Sequence, residues 1–319
     1  MPARLNLNAP PNTASSAALS YRCDPRASCR LLIAHLSDSH LRDASDVDWL
    51  ARQLDRIAAR NPQHLAITGD LLDRWNPRLL DRALAVLDAG GWLDRERLTL
   101  LHGNHDLASS GGYPQRRSDL WRLGTRFWDP PPLLAWRRRR FHARIARGAA
   151  GVAPVAPFAK TLASGLRVAG LDTVPFFWRP VRVEGRTLAV QHGIGQLQAA
   201  DAAWLRSLPA GQGPLILLVH HYPLRSDTYR WSPKRGPLRS AEFSVPMNIP
   251  ATDRAALWDA AEHAGVRLVL CGHVHRARLE WERGIAVGLN GQSGAAWAGR
   301  TIAWYTLGAR VEMELERAE

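Results

Sequence analysis

Short apolar runs recur through the chain, and five of them stop abruptly at residues that bind metal ions. The ends are Asp38-x-His40, Gly69-Asp70, Gly103-Asn104-His105-Asp106, His220 and Gly272-His273-x-His275. Between the first three runs lie segments with helical periodicity. Val47, Leu50, Leu54 and Ile57 place a helix over 46–60. Asn76 caps a second helix with Pro77 at its first position; Leu80, Leu84 and Leu87 form its apolar face, and Gly90-Gly91 ends it. Strands alternating with helices imply parallel pairing in an α/β sheet. In such sheets ligands collect beyond the carboxyl ends of the strands. Residues far apart in sequence are therefore expected to converge at one edge.

The rest of the chain supplies more of the same. Apolar strands are predicted at 166–171, 214–219 and 266–271, with a weaker candidate at 187–190. Helices are predicted over 199–208 and from a Thr252 cap to Ala264, with Gly265 as its stop. The tail from Ile285 to Glu316 reads as two or three antiparallel strands. Residues 107–160 break the rhythm with Gly111-Gly112, Pro130-Pro131-Pro132 and a dense mixture of Trp and Arg. Residues 1–28 lack periodicity and read as a flexible head, leaving 29–319 as one domain with an insertion at about 107–160.

Extended backbone would aim Asp38 and His40 the same way, and His273 and His275 likewise. It would turn the neighbours His220 and His221 to opposite sides, so that only one of them is a direct ligand. The donor set is carboxylate, imidazole and one amide, without thiolate. It suits Zn, Mn or Fe better than a structural Cys-rich site. Six or seven ligands are too many for one tetrahedral ion and fit two ions about 3.5–4 Å apart, bridged by the Asp70 carboxylate. Cys23 and Cys29 match no metal spacing, and Cys271 sits in an apolar run as a buried thiol. His35, His64 and His102 are assigned structural roles, as is His192.

The five motifs, in this order, resemble the signature of the calcineurin-like metallophosphoesterases: D-x-H, G-D-x-x-[D/R], G-N-H-[D/E], H and G-H-x-H. The resemblance runs from about Leu31 to the C-terminus. It implies a two-sheet α/β sandwich with flanking helices and dinuclear-metal hydrolysis of a phosphoester, as in the bacterial phosphodiesterase branch, by a metal-bridging hydroxide. Asp38, His40, Asp70 and His275 would hold one ion; Asp70, Asn104, His220 and His273 the other. His105 would act on the leaving-group oxygen or the phosphoryl group, and Asp106 would orient its imidazole. Arg74 and His221 are candidate substrate contacts. Trp75 stands where the related Ser/Thr phosphatases carry glycine, and Asp106 where they carry Glu, which argues against a protein phosphatase. Some relatives keep the fold as a binding scaffold after losing ligands, but every ligand position is present here.

Charge bears on the substrate. Lys and Arg exceed Asp and Glu by 42 − 29 = 13, nearly all of it Arg. An Arg-rich composition explains part of this; an anionic partner is the functional alternative. Trp121, Arg122, Arg126, Phe127, Trp128, Trp136, Arg137 to Arg140, Phe141, Arg144 and Arg147 make the insertion a candidate cap or contact with an anionic membrane. It also resembles the membrane-surface hydrolases of nucleotide-sugar lipids, of the UDP-diacylglucosamine type. Nucleic acid is the less favoured partner. A second basic run spans Arg225 to Arg239. No apolar run approaches the roughly 18 residues of a membrane span, and the N-terminus carries no apolar signal segment. A cytoplasmic protein is expected, peripheral to the inner membrane face if the insertion binds lipid.

Overall fold

A computed structural model describes residues 30–108, 131–147, 149–174, 179–183, 186–190, 194–209, 211, 213–224, 228–231, 243–246, 248–291, 293–294 and 300–317, with backbone alone at 179–183, 186–190, 228–231 and 243–246. The head at 1–28 with Cys23 and Cys29, the insertion residues Trp121 to Trp128, His192, and most of the Arg225–Arg239 run lie outside the described residues.

Two sheets lie face to face with helices on both outer sides. The first holds β1 (Leu31–Leu36), β2 (His64–Thr68) and β3 (Leu98–Leu101) in parallel. β14 (Thr301–Leu307) runs antiparallel to β1 and β15 (Val311–Arg317) antiparallel to β14, giving the order β15-β14-β1-β2-β3. The second holds β5 (Arg167–Gly170), β8 (Leu215–Leu218), β11 (Val266–Cys271) and β13 (Ile285–Asn290) in parallel. Antiparallel edges at β4 (Phe158–Thr161) and β12 (Ala277–Glu282) complete the order β12-β13-β11-β8-β5-β4. Two hairpins pair β6 (Arg179–Val183) with β7 (Arg186–Val190) and β9 (Thr228–Trp231) with β10 (Phe243–Pro246). The helices are α1 (Ala44–Arg60), α2 (Pro77–Ala89), α3 (Pro131–Ala146), α4 (Ala199–Arg206) and α5 (Ala251–His263). None of the helices described is long and apolar enough to cross a membrane.

Strand alternation explains why there are three apolar layers. On β1, Ile33 faces the middle layer, while Ala34 and Leu36 face α1 and α2. On β11, Leu268 and Leu270 face the middle, while Val269 and Cys271 face α4 and α5. The middle layer therefore joins Ile33, Ala66 and Tyr305 of one sheet to Ile216, Leu218, Leu268 and Ala286 of the other. Each fully buried aliphatic side chain stabilises the sandwich by about 1.5–3 kcal/mol. Both buried faces make these strands continuously apolar.

Three expectations need correction. Helix α5 begins at Ala251, with Pro250 as N-cap and no side-chain cap bond; the Thr252 hydroxyl instead lies 3.1 Å from Asp253 Oδ1. The region read as irregular contains the sixteen-residue α3. No strand is expected over 277–282, yet β12 forms there: Ala277, Leu279 and Trp281 alternate with Arg278, Glu280 and Glu282, the short half-exposed pattern of an edge strand.

Candidate metal centre

The strand ends converge because the loops beyond them keep pairing. After β1 and β2 stop, Asp38 N–H donates to Gly69 O (3.0 Å), His40 N–H to Asp70 O (2.9 Å) and Leu41 N–H to Leu71 O (2.9 Å). Across the sandwich, Gly272 N–H donates to His220 O (3.0 Å). The two sheets then meet where His273 N–H reaches Asp38 Oδ2 at 2.9 Å. Two glycines permit this closeness. A Cβ on Gly103 would stand 2.2 Å from Asp70 Oδ1, and one on Gly272 2.2 Å from Asp38 Oδ2.

The ligand loops are not extended, which corrects the alternation argument. Asp38, His40, Asp70, His273 and His275 have φ of 54°, 44°, 50°, 71° and 50°. They are five of the seven non-glycine residues with positive φ among the described residues. Such conformations cost on the order of 1–3 kcal/mol each and persist where surrounding structure enforces them. One consequence is that His273 and His275 do not point together. His275 gathers with Asp38 and His40, whereas His273 gathers with Asp70 and His220. His221 is not turned away from His220 either, since β8 has already ended at Leu218. Its ring is fully buried, 4.4 Å from that of His273, with Nδ1 3.0 Å from the Thr173 hydroxyl.

Three groups of side chains have ligand atoms close enough to share an ion: Asp38–His40–His275, His40–Asp70–His105 and Asp70–His220–His273. His40 Nε2 and His275 Nε2 face each other at 3.1 Å. Nitrogens each about 2.0–2.1 Å from one tetrahedral ion stand about that far apart. Asn104 Oδ1 lies 2.8 Å from His220 Nε2 and joins the Asp70–His220–His273 group. His220 Nδ1 donates to Thr68 O at 2.8 Å, which aims Nε2 at Asp70. Asp70 Oδ2 is buried and accepts no hydrogen bond among the described residues, yet lies 3.3 Å from His220 Nε2 and 3.8 Å from His40 Nε2. A charged oxygen left bare between two imidazole groups fits a bridging carboxylate for two cations.

The electrostatics agree. Burial pushes the Asp38 carboxyl up, but His275 and His40 outweigh it and hold it well below its ordinary range. Burial likewise opposes ionisation of Asp70, and His220 and His105 reverse the balance downward. Burial pushes the His220 imidazole down, yet Asp70 beside it raises it to about 9. The buried carboxylates thus hold a positive charge in the fold, which is what a bound cation would supply.

Asp106 is not the residue that orients His105. Its carboxylate accepts the backbone amides of Leu72 and Gly103, each at 2.8 Å, and so binds two ligand loops together. Burial, with the charge of Asp70, pushes it up to about 7. His105 is oriented instead by Asp73, whose carbonyl oxygen lies 2.9 Å from its Nδ1. The Asp73 carboxylate sits 3.6 Å from His40 Nδ1. Nothing local in the sequence separates the role of Asp73 from that of Asp106. Arg74 is exposed in the bend between β2 and α2. His35 and His64 are buried against Thr68 and Thr99 hydroxyls at 2.8 Å, as structural histidines would be. His102 meets Asp172 at 3.1 Å.

The family model described as calcineurin-like phosphoesterase matches residues 31–277. No curated protein matches the chain. Among solved structures, a dimetal phosphatase from Danio rerio aligns at TM-score 0.57 and 15% identity, over 90% of this chain and 96% of that one. A Thermus thermophilus protein, TT1561, aligns at TM-score 0.52 and 14% identity, over 91% and 99%. At such identities the two structures speak for the fold.

Proposed function

From the premise that the chain belongs to the calcineurin-like phosphoesterase family, we propose that it is a phosphodiesterase whose two ions are held by Asp38, His40, Asp70 and His275 on one side and by Asp70, Asn104, His220 and His273 on the other. The observation that carries this reading is the pair of ligand groups joined through Asp70, with the His105 imidazole beside both. The ions, when bound, activate water and neutralise charge on the phosphoryl oxygens.

The protein's own groups do the rest. Asp73 O can only accept, so His105 carries its proton on Nδ1 and turns Nε2 to the site. From Nε2 a protonated His105 would give a proton to the departing oxygen. Its ring lies 4.6 Å from that of His40, within reach of a phosphoryl group held at the ligand groups. Asp106 keeps the β2 and β3 loops in register, and buried His221 braces His273. Exposed Arg74, next to Asp73, would meet substrate arriving from solvent.

Asp106 after Gly-Asn-His and Trp75 in the place of glycine argue against a protein phosphatase, and the motif order resembles the bacterial phosphodiesterase branch, which is the ground for proposing a diester. The test is hydrolysis of bis-p-nitrophenyl phosphate against p-nitrophenyl phosphate with added Mn2+. Faster cleavage of the diester is expected; cleavage of the monoester alone would contradict the reading.

One observation favours a second reading, a membrane-surface pyrophosphohydrolase of a nucleotide-sugar lipid. Trp136 on α3 is 43% exposed, flanked by exposed Arg139 and Arg140, and its ring stacks edge-on with Trp75 just after Asp73-Arg74. An aromatic residue among cations beside the site is the composition of interfacial helices. This reading expects binding to vesicles containing phosphatidylglycerol and loss of binding in Trp136→Ala. Equal binding by that variant would set it aside.

A further inference from the structure

The first ligand group is held by a polar joint that the five motifs do not include. Asn290, at the end of β13, is fully buried. Its Nδ2 donates to His35 O at 2.7 Å and to Thr301 O at 3.1 Å, both in the opposite sheet. Its Oδ1 accepts the Thr301 hydroxyl at 2.7 Å. Three residues on, Ser293 pairs with Ser37 in both directions. Ser37 N–H donates to Ser293 Oγ and Ser293 N–H donates to Ser37 O, each at 3.1 Å. Ser293 Oγ also donates to Thr301 O at 3.2 Å, and the Trp49 indole N–H caps Ser293 O at 3.2 Å.

These bonds surround the turn that leaves β1, one residue before Asp38. That turn carries the left-handed Asp38 and His40, whose strain needs enforcement from outside. The same segment abuts the other member of the group. A Cβ on Gly291 would stand 2.5 Å from His275 Cα, and one on Gly294 2.0 Å from Ser39 O. Among the described residues neither side chain bonds directly to a ligand of either group; Asn290 holds the end of β1 at His35, and Ser293 holds Ser37, the residue next to Asp38. A buried amide and hydroxyl are expensive unless fully paired, and here their partners lie on the strand and residue that lead into the Asp38–His40 turn.

We propose that Asn290 and Ser293 are positioning residues for the Asp38–His40–His275 group, and that the second group does not depend on them. The inference rests on the two-group reading of the centre. Partners of this kind typically change metal affinity by about 10–100-fold.

The test is calorimetric titration of Mn2+ into the metal-free 319-residue protein and its Ser293→Ala variant. Two ions per chain are expected for the unsubstituted protein. In Ser293→Ala one affinity falls by about tenfold or more and the other stays unchanged. Leu205→Ala, a core variant in the layer beside α4, lowers the melting temperature but leaves both affinities alone. If Ser293→Ala does not fold, Trp49→Phe removes the indole bond to Ser293 O while keeping an aromatic ring under Arg300, and the same single affinity falls several-fold. Unchanged affinities, or two affinities weakened equally, would overturn the proposal. Fewer than two ions on the unsubstituted protein would instead overturn the two-group reading, and the proposal with it.

Discussion

His105 Nδ1 lies 2.9 Å from the carbonyl oxygen of Asp73, a backbone group contributed by the next loop over. The contact fixes the tautomer and, in the function proposed, leaves Nε2 to the substrate. His105→Ala is expected to keep two metal ions and lose about 10²–10⁴-fold in kcat. Metal analysis alongside steady-state kinetics checks this. Near-normal turnover would remove His105 from the chemistry.

Asp70 is the carboxylate common to two of the three groups. Asp70→Asn keeps the shape but removes the charge that both ions share. It is expected to bind one ion or none, with hydrolysis of bis-p-nitrophenyl phosphate falling to background. Inductively coupled plasma mass spectrometry of the purified variant gives the count.

A buried ion pair ties α3 to the second sheet. Arg138 Nε lies 2.7 Å from Asp172 Oδ2, and both side chains are about one-tenth exposed. Arg138→Met leaves the Asp172 carboxylate with only His102 and the Val174 N–H, and should destabilise the fold by about 3–5 kcal/mol. Arg138→Met with Asp172→Asn together should recover much of that loss, because the buried charge that lost its guanidinium is gone. Urea unfolding of the three proteins measures it.

Acid should weaken the fold before it reaches the carboxylates. Burial, with Lys160 nearby, pushes the His64 imidazole down to about 3; burial, with His102, pushes His142 to about 4. Both are neutral in the fold, while their unfolded counterparts take up protons below about pH 6.5. The unfolded chain therefore binds more protons, and stability falls as pH drops from 6.5 toward 4 and 3. Each group contributes a slope of at most about 1.4 kcal/mol per pH unit. His142→Asn, whose amide can still donate to Ala153 O as Nδ1 does at 3.0 Å, should flatten the curve. An unchanged slope would contradict the assignment.

The metal ligands are legible in the sequence because each follows an apolar strand, and strand ends in an α/β fold share an edge. Their backbone is not legible: left-handed Asp38 and His40 are imposed by bonds to Gly69 and Asp70, whose loop lies about thirty residues away. Asp106 is misleading because the motif resemblance implies that it orients His105, whereas its partners are two backbone amides. Helix α3 is hidden because its buried face mixes Leu134, Phe141 and Ile145 with Arg137, Arg138 and His142. Buried arginines blur the apolar period, and they also remove part of the insertion's charge from solvent. Arg137 donates to Leu107 O at 2.7 Å and so holds the loop that follows β3.

The central claim is that two ions share Asp70. Anomalous diffraction from crystals grown with Mn2+ tests it most directly. Two peaks are predicted, one against Asp38, His40 and His275 and the other against Asn104, His220 and His273, with the Asp70 carboxylate touching both. A single peak, or none at these strand ends, would contradict it.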